Sequence, residues 1–180
     1  SISHLEPKAV FTYFEEMCQI PHGSGNLQQI SDYLVEFAKK NNLEYIQDEA
    51  LNVIMKKPAS AGYENYPPVI IQGHMDMVAV KKPDCEIDLK TEGLNVTTDG
   101  KFVWAEGTSL GGDDGIAVAY AMAILASDDI KHPALEVVIT TDEEVGMDGA
   151  IALEGSNLQG RRMLNIDSEV EGDLLVSCAG

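Results

Sequence analysis

Four short stretches concentrate the residues able to do chemistry: Gly73-His74-Met75-Asp76, Asp113-Asp114-Gly115, Thr141-Asp142-Glu143-Glu144 and Asp167-Ser168-Glu169. One imidazole with several carboxylates and no thiolate suits a divalent cation of borderline to hard character. Zinc, manganese and cobalt fit that donor set better than an iron–sulfur cluster or a thiolate zinc finger. His74 and Asp76 stand two apart, so on a regular strand both face one side. His74 can then be aimed at a metal while Asp76 fixes its tautomer from behind. Asp142, Glu143 and Glu144 are adjacent, and adjacent carboxylates are tolerated at one site only where cations or protons neutralise them. Glu143 and Glu144 cannot both point the same way from an extended segment. One can ligate a metal while the other faces the substrate side as a base, taking a proton from a water whose pKa the metal lowers towards ~7.

Each stretch also has a plain reading. An isolated Asp-Glu-Glu is a solvated acidic turn, His-x-Asp is common, and Asp113 or Asp114 can simply cap a helix. The glycine-rich Gly111-Gly112-Asp113-Asp114-Gly115 lacks the alternating ligands and distant Glu of a calcium loop. It also lacks the Gly-Lys-Ser/Thr of a phosphate loop, and its aspartates would repel phosphate. No Gly-x-Ser-x-Gly elbow is present, and no cysteine stands near a histidine in sequence, which disfavours a covalent nucleophile.

The elements expected to carry these stretches follow from apolar periodicity. Glu6 to Cys18 shows helical spacing at Val10, Phe11, Phe14 and Met17, with Pro7 suited to the first turn. After a loop at Ile20–Gly25, Asn26 is placed to cap a second helix running to Asn41. Glu44–Gln47 and Asn52–Lys56 read as short strands, and Ala59–Pro68 as a loop. Val69–Gln72 is a compact strand with His74 and Asp76 just beyond its end. Asp84 to Val103 reads as a hairpin-rich excursion with a tight turn at Asp99-Gly100, and Ile116–Ser127 as an apolar helix. Ala134–Ile139 is a buried strand, Ala150–Leu153 a short helical stretch, and Arg162–Ile166 and Leu174–Ser177 are two further strands. Strands alternating with helices imply a layered α/β fold around a parallel or mixed sheet. Ligands in such sheets collect outside the carboxyl ends of the strands, where His74/Asp76, Glu143/Glu144 and Asp167 all fall, with Asp113 opening a helix nearby.

The 180 residues, 44% of them hydrophobic, suffice for one core and one domain. A formal net charge of −18 argues against nucleic acid and anionic membranes as partners, since both demand basic patches. No apolar run of membrane-spanning length and no leader is expected. Cys18, Cys85 and Cys178, odd in number and without CxxC spacing, read as free thiols of a cytoplasmic protein.

Four ordered motifs carry a resemblance: Gly73-His74-Met75-Asp76-Met77-Val78, Gly107 through Gly115, Thr141 through Gly146, and Asn165-Ile166-Asp167-Ser168-Glu169. Together they resemble the di-zinc peptidases, the family of aminoacyl-histidine dipeptidases, peptidase T, carnosinases and glutamate carboxypeptidase. Ile20–Asn26 and Leu164–Glu169 bring the likeness nearest the aminoacyl-histidine dipeptidase branch. The resemblance covers nearly the whole chain. It implies a three-layer α/β/α sandwich with a mixed central sheet and hydrolysis of small peptides, Xaa-His dipeptides foremost. It also implies two divalent metal ions, zinc first and manganese or cobalt as alternatives. His74 and Asp167 would bind one metal, Glu144 the other, and Asp113 would bridge both. Asp76 would orient His74, Glu143 would be the general base acting on the metal-bridging water, and the Asp113-Asp114 peptide would be cis.

The family's second metal also takes a histidine from a distant carboxyl-terminal segment, beyond an inserted lid domain, and neither is found in residues 1–180. His4, His22 and His132 lie outside the matching motifs and read as loop or surface residues, not substitute ligands. Residues 1–180 are therefore expected to be the amino-terminal portion of the catalytic domain. The second metal site should be incomplete, the chain alone inactive, and the parent enzyme a homodimer. The rivals are another exopeptidase or aminoacylase of the family, such as a tripeptidase or carboxypeptidase, and a non-catalytic metal-binding or interaction module with the same fold.

Overall fold

A computed structural model describes residues 1–168 and 170–177. Two amphipathic helices open the chain. Helix α1 (Lys8–Cys18) buries Val10, Phe14, Met17 and Cys18, the spacing of one helical face. Helix α2 (Gln28–Lys40) buries Ile30, Leu34, Val35, Phe37 and Ala38 and ends on Lys39 and Lys40, whose charge suits its carboxyl terminus. Asn26 does not cap it: Leu27 holds the cap position, and the Asn26 amide donates to the Lys90 carbonyl 3.0 Å away.

Strands β1 (Glu44–Gln47) and β2 (Val53–Lys57) form an antiparallel pair, and β3 (Val69–His74) follows the Pro/Gly loop. Strands β4 (Val96–Thr98) and β5 (Val103–Ala105) make a separate small hairpin, turned where Asp99 Oδ1 accepts the amides of Lys101 and Phe102. Helix α3 (Gly112–Ala126) is apolar almost all round because it lies between α1 and the sheet. Gly115 lets α1 approach: a Cβ there would stand 3.1 Å from the Phe14 ring. Strand β6 (Leu135–Thr140) is buried at every position, a short helix α4 (Asp148–Ala152) comes next, and β7 (Arg162–Asn165) lies at the sheet edge.

The five-stranded sheet runs β1-β2-β6-β3-β7, with β6, β3 and β7 parallel and β1 and β2 antiparallel at one side. One face carries the main core, where Val53, Met55, Ile71, Val137 and Ile139 pack beneath α2 and α3. The opposite face carries Ile54, Ile70 and Val138 under Leu153 and Leu158 from the segment that follows α4. Glu136 is buried on β6 and anchors that segment, its carboxylate accepting the amides of Gln159 (2.9 Å) and Gly160 (2.7 Å). This is the expected layered α/β architecture with a mixed sheet. Leu174–Ser177 forms no strand; the residues from 173 to 177 are irregular, and Leu174, Leu175 and Val176 are exposed. Cys18 is a buried free thiol, pushed up to about 12 by burial and by the Glu15 charge, and Cys85 is half-buried and free. Cys178 and Glu169 lie outside the described residues. Among the described residues no helix is long and apolar enough to cross a membrane.

Candidate metal centre

Parallel register sets the site. His74 ends β3 opposite Thr140, the last residue of β6, and Gln72 on β3 pairs with Asn165, the last of β7. Three strands thus stop at one edge, and the loops after them hold Asp76, Asp142–Glu144 and Asp167 within reach of one another. The start of α3 comes in from the fourth side. Gly73 makes that approach possible, since a Cβ there would stand 2.6 Å from Asp114 Oδ2. Asp114 is buried, and the same oxygen accepts the His74 backbone amide at 3.2 Å. The Asp113-Asp114 peptide is cis, as the resemblance implied.

The His74 ring has a held end and an open end. Nδ1 lies 2.9 Å from the Asp76 carbonyl and 3.2 Å from Asp76 Oδ1. Nε2 faces Asp113 Oδ1 at 3.1 Å, Glu143 Oε2 at 3.8 Å and Asp167 Oδ2 at 4.0 Å. Two overlapping sets of donors result, His74/Asp113/Asp167 and His74/Glu143/Glu144, each with ligand atoms within 4.8 Å of one another. Such a set of one imidazole and hard carboxylate oxygens fits zinc, manganese or cobalt. The lysine ion pairs of the described residues lie elsewhere, at Glu36 and Glu136, so no lysine neutralises this cluster.

The turn after β6 is not extended. Glu143–Val145 forms a single 3-10 turn, entered through Asp142 in the left-handed conformation. Glu143 and Glu144 therefore do not diverge, and each brings a carboxylate oxygen towards His74. The turn closes this way because Asp76 collects both of its leading amides, Glu143 N on Oδ1 at 3.0 Å and Glu144 N on Oδ2 at 3.3 Å. From behind, Asn52 accepts the Thr141 amide at 3.0 Å and donates to the Gly149 carbonyl at 2.8 Å, bracing the turn against α4.

The electrostatics follow the crowding. Burial works against a charged His74, yet the carboxylates of Asp76, Asp114 and Asp113 outweigh it and push the ring up to about 9. Burial would raise Asp76, but hydrogen bonds from His74, Ser24 and the Glu143 amide hold it down to about 2. Burial pushes Asp114 up to about 7, with His74 opposing and Asp167 and Asp113 assisting. Glu144 is raised by burial and by the Asp113 charge. Burial and the neighbouring carboxylates thus raise Asp114 and Glu144, while hydrogen bonds hold Asp76 down.

The structure brings all six residues singled out in the sequence, His74, Asp76, Asp113, Glu143, Glu144 and Asp167, to one place. His22 and His132 lie in loops, as expected, but are buried and not at the surface, with Nδ1 against the carbonyls of Ile20 (2.6 Å) and Pro133 (2.8 Å), and neither joins the donor sets. Sequence reasoning gave Asp114 no place of its own at the site and missed Ser24, whose hydroxyl donates to Asp76 Oδ2 at 2.7 Å. The Asp113-Asp114 doublet was the available signal for the first. Nothing in the local pattern of Ser24 pointed to the second.

Comparison with known proteins bears on the same residues. The family model described as Peptidase family M20/M25/M40 matches residues 70–174, which contain every donor named above. The cytosol non-specific dipeptidase of Escherichia coli is 41% identical over 179 residues, covering 99% of this chain and 37% of that protein. The crystal structure of an aminoacylhistidine dipeptidase from Vibrio alginolyticus superposes with a TM-score of 0.92 at 42% identity, over 96% of this chain and 35% of that one. A tripeptidase structure from Staphylococcus aureus shares the fold at a TM-score of 0.76 and 23% identity, over 92% of this chain and 44% of its own. The chain thus spans little more than a third of the dipeptidases it resembles in sequence. With β6, β7, the loop ends and the cluster of candidate metal ligands all falling inside that matched segment, which is more than half of the chain, the chain belongs to peptidase family M20/M25/M40.

Proposed function

We propose that residues 1–180 are the amino-terminal portion of the catalytic domain of a metal-dependent dipeptidase, with Xaa-His dipeptides as the preferred substrates. The observation that carries this reading is the convergence of Asp113, Glu143 and Asp167 on His74 Nε2 while Asp76 holds Nδ1. The names of the Escherichia coli and Vibrio relatives support dipeptides as the substrate class, and the first also supports a cytosolic location. Two divalent cations, zinc foremost, would supply Lewis acidity to the scissile carbonyl and lower the pKa of water at the site.

His74, Asp113 and Asp167 would hold one cation, and Asp113 and Glu144 would contribute to the second, which needs further donors for a closed site. Asp76 keeps the Nδ1 proton of His74 in place, so that Nε2, once it gives up its own proton, would offer its lone pair to a cation held among the carboxylates. Glu143 is half-buried beside that cluster, and its carboxylate takes the proton of the attacking water and returns it to the departing amine. With one complete set of donors and one partial set, these residues alone hold a first cation more tightly than a second and turn over peptide poorly. The homodimer implied by the resemblance belongs to the same proposal and is read by sedimentation of the intact protein.

Glu143→Ala tests the reading. Turnover of a Xaa-His dipeptide by the intact protein is expected to fall by about 10²–10⁴-fold while metal content is retained. Equal turnover in the variant, or absence of any divalent metal from the purified intact protein, would overturn it.

A further inference from the structure

Asp76 is shared four ways. Its Oδ1 takes the Glu143 amide at 3.0 Å and lies 3.2 Å from His74 Nδ1. Its Oδ2 takes the Glu144 amide at 3.3 Å and the Ser24 hydroxyl at 2.7 Å. The shortest of these contacts comes from a loop outside the metal-binding stretches. That loop is itself fixed on several sides. Ser24 N donates to the Met77 carbonyl and Met77 N to the His22 carbonyl, both at 3.1 Å. Gly25 N donates to Asp142 Oδ1 at 2.7 Å, so the same loop also grips the turn that carries Glu143 and Glu144. Gly23 lies so close to Ala79 that a Cβ would stand 2.7 Å from the alanine methyl.

A carboxylate accepting on both oxygens has its plane fixed, and its plane sets what the two residues on either side can do. On one side it fixes the rotation of the His74 ring. On the other it fixes where the Glu143–Glu144 turn begins. We propose that Ser24 is a positioning residue of this metal centre, its hydroxyl locking the Asp76 carboxylate so that the imidazole and the glutamate turn keep one mutual orientation. Without that hydroxyl, Oδ2 keeps only the 3.3 Å amide contact, and the carboxylate can swing about its remaining bonds on Oδ1. The inference rests on the metal-centre reading above.

The test is Co²⁺ titration of the protein, followed by the visible absorption that reports coordination geometry, with thermal melting alongside. Ser24→Ala is expected to weaken Co²⁺ binding by about 10-fold and to alter the absorption bands, as loss of a hydrogen bond behind a ligand does. Ser24→Thr, which keeps the hydroxyl, is expected to restore affinity and bands. Should Ser24→Ala fail to fold, Ser24→Cys keeps the size with a weak donor and is read by the same criteria. Unchanged affinity and bands in Ser24→Ala would overturn the inference, as would a lowered Tm with the bands intact, which marks a structural role only. If the unsubstituted protein takes up no Co²⁺, the metal-centre reading falls first and this inference with it. If it binds Co²⁺ normally and Ser24→Ala does too, only the role of Ser24 falls.

Discussion

The two halves of the acidic cluster are built differently. On the β3 side, the His74 side chain is 1% exposed, Asp76 and Asp114 are buried, and Asp76 takes partners from β3, the Ser24 loop and the Glu143 turn. On the β7 side, the Asp167 side chain is 33% exposed, and the Asp113 side chain, reaching the cluster from the start of α3, is 71% exposed. Asp167 follows an edge strand whose every residue is exposed, and among the described residues its amide reaches only the Asn165 side chain, at 3.4 Å. The buried half is over-determined by hydrogen bonds and sets orientation. The exposed half supplies charge. A polar hub in the interior is costly to disturb, because each partner left behind is desolvated and unpaired.

The largest expected effect is therefore Asp76→Ala. It strips partners from His74, Ser24 and two amides at once, and breaking such a buried charge pair costs about 3–5 kcal/mol. Urea unfolding of the metal-free protein should show that loss, and Co²⁺ binding should fall by about 100-fold. A cost under ~1 kcal/mol would mean that the β3 half is no more tightly built than the β7 half. The contrasting change, Asp167→Ala, removes a carboxylate that is one-third exposed and lightly held. Metal affinity should also fall, by about 10- to 100-fold, while stability without metal stays within ~0.5 kcal/mol or rises slightly as repulsion is relieved. Equal destabilisation by the two substitutions would erase the distinction.

Proton linkage sharpens the same contrast. The folded His74 sits at about 9, above its ordinary 6.5, so its contribution to stability is complete below 6.5 and is lost as pH rises through 9. Asp76 sits at about 2, below its ordinary 3.8, so its contribution is present above 3.8 and is lost as pH falls through 2. A cation at Nε2 must displace the ring proton. Metal uptake near pH 7 should release about one proton per His74, and affinity should rise up to about tenfold per pH unit, then level above pH 9. Calorimetry in buffers of different ionisation enthalpy measures the proton directly. Absence of release at pH 7 would show that His74 is neutral before metal arrives, its one proton on the Nδ1 that Asp76 holds.

Much of this was legible in the sequence because it depends on local periodicity and on one topological rule. The β-branched runs at Val69–Ile71 and Val137–Ile139 marked the inner strands, and the carboxyl-end rule gathered His74, Glu143 and Asp167 before any register was known. What was not legible depends on distant partners. Asn26 suits a helix cap but spends its amide on Lys90. Glu143 and Glu144 look extended until Asp76 gathers their amides into a turn. Leu174–Ser177 reads as a strand by composition, yet β7 already forms the sheet edge, and the described residues place nothing beyond it for pairing. Ser24 carries no pattern of its own, and its meaning exists only through a contact 52 residues away in sequence.

The smallest expected effect probes the exposed half directly. Leu164 on β7 is 56% exposed, beside Met163 and Ile166, which are exposed as well. A leucine left in water gains little from folding, so Leu164→Ser should change stability by no more than ~0.5 kcal/mol. It should leave the His74 end of the site untouched, because β7 meets β3 through backbone pairing, which a serine keeps. A loss of ~2 kcal/mol or more would instead show that this edge is covered in the intact protein, by residues outside 1–180 or by a second copy, since burying a leucine contributes about that much. Destabilisation that depends on protein concentration would mark a second copy, and either cover would place Asp167 beside a covered surface, reversing the assignment of which half of the cluster is rigid.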